Sequence, residues 1–594
     1  MTRVTGTRTL PATIAAWTLA SPLAFAATQP EWVLESNRQA TALLDENAKY
    51  NPEQAATFGV EGHDAEVFDA KPNNVQRQEA DLDAVATGYE RALATASDPR
   101  VKQDIEILLK SARDQRTTIA LNDRLMLPYL DLPQALFNSF HGLLDPRVAK
   151  SRYPAAATRL KRYVGAERGY EPIATLVRAR VEERLGDNSL TGPWIVEVQQ
   201  NLQNQAQYLE GIRELFEKSG LKGWQRDFKT LSRQLDDYDK WVRSTIVPRA
   251  RQTNRLPPEI YADNLKNYGV SMDPHELIDR ALFVFASTRD EMQSIAGQIA
   301  QRRGLESADY HDVLRELKRA KIPNDKLLAS YNDCLSQIEA IVRKEHLITI
   351  PERKAAIRLA TDAESAQTPA PHLDLPRLIG NTGEPSEFVI PTSNPNAQSK
   401  AEMDDFNYEA IKWTLTAHEA RPGHELQFAA MLEGGVSIAR AIFAFNSANV
   451  EGWALYSEAF MKPYLPLDGQ LASLQARLQR AARAFLDPMV NLGMIEPSAA
   501  KQVLMDEVLL SEPMAKQEID RYTFRLPGQA TAYFFGYTKL EALRAKTELA
   551  LGPRFNVQAY HDFILRQGLL PPELLERAVT EEFVPSQKGN AGTS

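Results

Sequence analysis

Residues 418–424 read His-Glu-Ala-Arg-Pro-Gly-His, and the stretch Glu451-Gly-Trp-Ala-Leu-Tyr-Ser-Glu458 begins 27 residues after His424. Two imidazoles and a carboxylate suit zinc, and three protein ligands leave a fourth position for water. Zinc lowers the pKa of that water to roughly 7, so a neighbouring carboxylate can take its proton at neutral pH. Glu419, beside the first histidine, is placed for that task. The residues predict one Zn2+ held by His418, His424 and a glutamate of the second motif.

The spacing is unusual. Paired zinc histidines on one helix face stand at i and i+4, whereas His424 is at i+6 from His418. At about 100° per residue, an unbroken helix would turn the two roughly 120° apart. Pro422 removes a backbone donor and clashes with the preceding turn, and Gly423 accepts whatever angles result. The expectation is a helix with a two-residue insertion that returns His424 to the face of His418. Proline inside a helix costs roughly 3 kcal/mol, a cost that points to function.

Glu451 and Glu458 are seven apart and fall within about 20° of one helical face. One suffices as a ligand. The other can accept the remaining ring N–H of a ligand histidine and so fix its tautomer. Glu451 is the expected ligand and Glu458 the expected acceptor, with Trp453, Leu455 and Tyr456 as packing residues.

This constellation resembles the bacterial family called domain of unknown function 885. The matching residues are His418 to His424 with Gln427, Val450 to Tyr456 with Glu458, Asp520-Arg-Tyr522, Pro527-Gly-Gln-Ala530 with Tyr533, and His561-Asp-Phe-Ile-Leu565 followed by Gly568-Leu-Leu-Pro571. The match is strongest over about 405–580. The family looks like zinc peptidases of the thimet oligopeptidase and carboxypeptidase Taq type. The resemblance implies an almost wholly helical fold with zinc on the floor of a deep cleft, and a third ligand some 25 residues after the second histidine, favouring Glu451. One departure stands out: where the family carries a histidine after Asp-Thr-Gly, this chain has Asp487-Pro-Met-Val-Asn491, so a titratable group is lost at Asn491.

A peptidase must also hold the oxyanion formed on the attacked carbonyl. Arg521, Tyr522, Tyr533 and Tyr537 are the candidates. Tyr533 is the expected catalytic hydroxyl, as in the oligopeptidases it would resemble. Arg521 and Tyr537 are expected to bind substrate, since a guanidinium fork suits a carboxylate. Peptide hydrolysis is the leading reading. A metal-dependent hydrolase of non-peptide amides would keep the same residues, and a catalytically silent helical binding protein would not need them.

The elements that must position these groups are helical. Apolar residues recur at spacings of three and four through 75–96, 100–121, 193–217, 223–244, 273–301, 325–344 and 470–492, as in amphipathic helices. Strand signals are confined to Leu347–Ile350 and Phe388–Ile390. Thr361–Ser399 reads as a long irregular loop that could wall the cleft. The predicted architecture is all-α, one large helical fold over 27–594 with a deep cleft and possibly two lobes.

At the N-terminus, Arg3 and Arg8 precede an apolar run ending Ala24-Phe-Ala26, the pattern of a signal peptide over 1–26 cleaved after Ala26. Cleavage removes two positive charges, taking the net charge from −9 to −11. The location expected is periplasmic or secreted. The acidic balance excludes a nucleic-acid partner, and no later run is long enough for a membrane span. A short peptide is the expected partner. The single cysteine, Cys334, sits in a helical pattern and reads as packing.

Overall fold

The computed structural model describes residues 29–589 except 369, 382 and 393–403; the leader expected over 1–26 lies outside the described residues. Within them the protein is one large helical fold with three short strands. The expected helices form with small shifts at their ends. They are Asn74–Thr95, Pro99–Leu125, Ile195–Ser219, Gln225–Trp241, Pro274–Arg303, Asn324–Lys344 and Leu467–Asn491.

Local chemistry sets where they begin. The Asp98 side chain accepts from the Arg100 N–H and Pro99 fills the first turn, so the chain breaks cleanly between two long helices. Leu82, Ala86 and Tyr89 on the first meet Val101, Ile105, Leu108 and Ala112 on the second, with Ala40 and Leu43 of Glu31–Tyr50 closing the cluster. A second core gathers Leu127 to Ala250 around Phe137, Phe140, Tyr163 and Phe216.

The largest core joins Pro274–Arg303 to Leu467–Asn491. Leu277, Ala281, Phe285, Thr288, Met292, Ala296 and Ile299 make the buried stripe of the first helix. Leu467–Asn491 is buried on nearly every side, and Phe285 meets Phe485 edge-on with ring centres 5.3 Å apart. Each large apolar side chain so buried contributes roughly 1.5–3 kcal/mol. This all-round helix forms the back wall of the candidate site.

Two local expectations are corrected. Thr361–Ser399 is not a bare loop: Thr361 and Glu364 form a reciprocal cap on the short helix Asp362–Gln367, and two strands follow. β1 (Ala356–Leu359), β2 (His372–Asp374) and β3 (Glu387–Ile390) form a sheet in the order β1-β3-β2. β1 runs parallel to β3 with Ala356 opposite Glu387, and β2 antiparallel with His372 opposite Val389. Tyr331 packs edge-on against Phe388 with ring centres 5.6 Å apart, seating the sheet on Asn324–Lys344.

Leu347–Ile350, in contrast, is not a strand. Its polar backbone bonds to side chains instead. The Leu347 carbonyl accepts from His561 Nδ1 at 2.8 Å, and the Thr349 N–H donates to Asp562 at 2.9 Å.

Candidate metal centre

The two histidines stand on separate helices. Ile411–Leu415 runs into a wider π turn, Thr416–Ala420, that carries His418 and Glu419. Arg421 is extended, and a new helix starts at His424. The expected insertion within one helix is therefore a full break, because Pro422 cannot donate back into the preceding turn. Gly423 is needed for a close approach: a Cβ there would lie 1.9 Å from the His418 carbonyl oxygen.

Buried polar groups hold the break in place. Arg421, 1 % exposed, donates from Nε to Glu425 at 2.6 Å, from Nη1 to Glu339 at 2.7 Å and from Nη2 to the Arg353 carbonyl at 2.6 Å. Trp453 Nε1 donates to the Pro422 carbonyl at 3.0 Å. The helix that carries Glu451, Ser447–Met461, is thereby tied to the break. Gln427 donates to Asn449 at 2.8 Å between the same two segments.

His418, His424 and Glu451 converge, each offering one donor atom within 4.8 Å of the others. Glu451 Oε2 lies 3.3 Å from His424 Nε2 and 3.7 Å from His418 Nε2. Yet Oε2 is buried and makes no hydrogen bond of proper geometry among the described residues. Three lone-pair donors aimed at one point, with a buried orphan oxygen among them, fit a divalent cation. Burial raises the Glu451 carboxyl, but the two imidazoles outweigh it and hold the group well below the carboxylate range.

Glu458 lies beside His418. Its Oε1 lies 2.7 Å from His418 Nδ1, and its Oε2 accepts from Thr414 at 2.5 Å. With Nδ1–H donating to Glu458, His418 Nε2 is left to face Glu451. Burial raises this carboxyl too, but Arg480 and His418 bring it below its usual value. Glu419 Oε1 lies 3.9 Å from His418 Nε2. Burial pushes the Glu419 carboxyl up to about 8, with His424 opposing.

Glu419 and His418 open onto a narrow cavity of about 80 Å³, whose walls include Tyr533, Arg480, Arg483 and Arg521. Ala370 and Pro371, just before β2, also line it, so that irregular stretch does wall the site. The Tyr533 ring stacks on His418 with centres 6.2 Å apart. Its face receives the Arg483 guanidinium at 4.5 Å and those of Arg480 and Arg521 at 5.9 Å.

Glycines set this geometry. A Cβ on Gly536 would lie 1.8 Å from the Ala448 carbonyl oxygen, and one on Gly452 would lie 2.6 Å from the Gly536 backbone. Only glycine at both positions lets Ser447–Met461 and Thr531–Leu551 cross so closely. That crossing brings Glu451 of one helix beside Tyr533 of the other.

Two expected residues fall elsewhere. Tyr537 packs against Arg477 at 5.7 Å, a turn beyond Tyr533, and does not line the cavity. Tyr522 is fully buried and donates to Glu518 at 3.0 Å. Asn491 donates to the carbonyls of Asp487 at 2.9 Å and Tyr522 at 3.0 Å, as a structural tie outside the cavity.

Sequence reasoning missed Arg480 and Arg483. The only signal was that Arg477, Arg480 and Arg483 recur every three residues along an alanine- and leucine-rich helix, which by itself reads as a solvated face.

Two solved structures share the fold. The chain superposes on a "putative lipoprotein" from Colwellia psychrerythraea with a TM-score of 0.74 and 19 % identity, covering 93 % of this chain and 99 % of that one. A second, a "putative lipoprotein of unknown function" from Shewanella oneidensis, gives 0.69 and 16 %, covering 93 % and 100 %. No curated protein matches the sequence. The sequence pattern of one family, "Bacterial protein of unknown function (DUF885)", matches residues 52–579. The chain belongs to that family.

Proposed function

We propose that the protein is a zinc-dependent peptidase acting on short peptides outside the cytoplasm. The observation that carries this reading is the convergence of His418, His424 and Glu451 with an orphaned buried carboxylate oxygen at its centre. Zinc held there supplies Lewis acidity and a water acidified to a pKa of roughly 7.

The chain's own residues supply the rest. Glu419 takes the proton of the attacking water and delivers it to the leaving amine. Glu458 keeps the proton on His418 Nδ1. Tyr533, whose ring stacks on His418 and lines the cavity, donates to the developing oxyanion. The narrow cavity excludes folded proteins and bulk water, which strengthens each of these interactions.

Export is part of the proposal. The leader-like N-terminus supports it, as does the description of both structural relatives as lipoproteins. No helix among the described residues is long and apolar enough to cross a membrane.

The test joins elemental analysis to a peptide-library digest read by mass spectrometry. Wild type should carry one zinc per chain and cleave peptides. His424→Ala should lose the metal. Glu419→Gln should keep zinc while turnover falls by roughly 10²–10⁴-fold, the usual worth of acid–base help. Equal zinc in wild type and His424→Ala would remove that histidine from the site. Near-normal turnover in Glu419→Gln would refute the general base.

A further inference from the structure

The cavity beside Glu419 has more guanidinium than its carboxylates can satisfy. Arg483 is paired with Glu518 through two bonds, from Nε at 2.7 Å and from Nη2 at 2.6 Å. Arg521 is not. Its Nη1 stands 3.9 Å from Glu518 Oε1, too far for a hydrogen bond, and is buried with no partner among the described residues.

Arg480 is in a similar position. Its Nη2 lies 3.5 Å from Glu458 Oε1, an oxygen already facing His418. Its Nη1 bonds the Ala476 carbonyl and Gln479, and its Nε is buried without a partner among the described residues. Arg480 is 6 % exposed. A buried guanidinium with idle donors is costly unless an anion joins it. Planar forked donors are suited above all to an oxyanion such as carboxylate.

We propose that this cavity binds the terminal carboxylate of a peptide, with Arg521 and Arg480 as the binding groups, so that the site releases one to three residues from a peptide's C-terminus. The inference rests on the peptidase reading above and narrows its substrate.

Distance supports it. The Tyr533 ring is 6.2 Å from the His418 ring and 5.9 Å from each of the two guanidinium carbons. His418 and either arginine are thus separated by no more than two such spacings. At about 3.3–3.6 Å per extended residue, that is a span of at most three residues or so.

Size supports it as well. The cavity is small, about 80 Å³, and suits a chain end better than a long chain. Ile411, Leu415, Leu510 and Met514 line it beside the arginines. An acidic side chain offers the same carboxylate, so the test must separate the two sources.

Binding is measured with zinc-loaded Glu419→Gln protein, which holds a peptide without consuming it. The probe is a fluorescein-labelled apolar pentapeptide in three forms: free acid, C-terminal amide, and amide with glutamate as the last residue. The free acid should bind roughly 10- to 100-fold more tightly than either amide, the usual worth of charge-assisted hydrogen bonds. Adding Arg521→Met should cut the preference for the free acid by about tenfold, Arg521→Lys should restore part of it, and Arg480→Gln should cut it likewise. A wild-type melting temperature and zinc content in each variant guard against misfolding.

Equal binding of acid and amide would overturn the proposal, as would absence of binding to all three. Tight binding of the glutamate amide would overturn the terminal assignment in favour of a side chain. None of these readouts requires turnover, so they stand apart from the zinc and hydrolysis measurements that test the peptidase reading.

Discussion

Glu458 never needs to touch a metal or a substrate to matter. Its carboxylate faces His418 Nδ1, Thr414 and Arg480 at once, and on the proposed zinc reading that contact leaves Nε2 as the coordinating nitrogen. Partners of this kind typically govern 10- to 100-fold in metal affinity. Glu458→Gln should therefore weaken zinc binding by about that factor, read by competition with a chromogenic chelator, with the helix content of the wild type. Wild-type affinity in that variant would assign Glu458 to packing alone. At this scale much was legible from sequence. The seven-residue spacing of Glu451 and Glu458 put both on one face, and the face is the one observed. Tyr537 shows where such reasoning stops. It does share a helical side with Tyr533, but four residues of rise, about 6 Å, carry it beside Arg477 and out of the cavity. Arg480 and Arg483 escaped notice because charges on a helix are usually solvated, and only tertiary packing shows that this helix has no solvent face.

Among the elements, the crossing of Ser447–Met461 with Thr531–Leu551 is the most exacting. Its contact is backbone on backbone at Gly452 and Gly536, so no side chain can rotate aside to admit a methyl group. Gly536→Ala should force the helices apart, costing about 1–3 kcal/mol or more as an overpacked core does. The expected results are a lower melting temperature and weaker zinc binding, since Glu451 would move away from the histidines. An unchanged melting temperature with full zinc occupancy would show that the crossing has slack. The helices themselves were readable because a stripe recurring every three or four residues survives any tertiary arrangement. The break at Arg421–Gly423 was read as a bulge instead, because proline and glycine announce a deformation without fixing its size. What fixes it is the buried anchoring of Arg421 and of the Pro422 carbonyl, supplied by Glu339, Arg353 and Trp453 from elsewhere in the chain. Leu347–Ile350 failed as a strand for a related reason. Its β-branched, apolar character was satisfied by burial against Val557–Arg566, with no neighbouring strand needed.

Across the whole molecule, three of the apolar clusters meet at the candidate metal centre. The helical core behind Leu467–Asn491, the sheet seated on Asn324–Lys344, and the cluster around Trp453 each supply one wall. No periodicity in a sequence states which amphipathic faces will meet, so this convergence was the least legible feature. One consequence concerns the only sulfhydryl in the chain. Cys334 is fully buried on Asn324–Lys344, in the same cluster as Ala417 of the turn that carries His418, and burial pushes its thiol up to about 12. A thiol-reactive dye can reach it only when that region swings open, so the labelling rate acts as a clock on the opening. On the proposed reading, zinc held by His418, His424 and Glu451 would bridge three segments of the chain and should slow the clock by roughly a hundredfold when free metal stands at 100 times its dissociation constant. A chelator should restart it, and a rate indifferent to both would mean that the metal turn and the helix beneath it open independently.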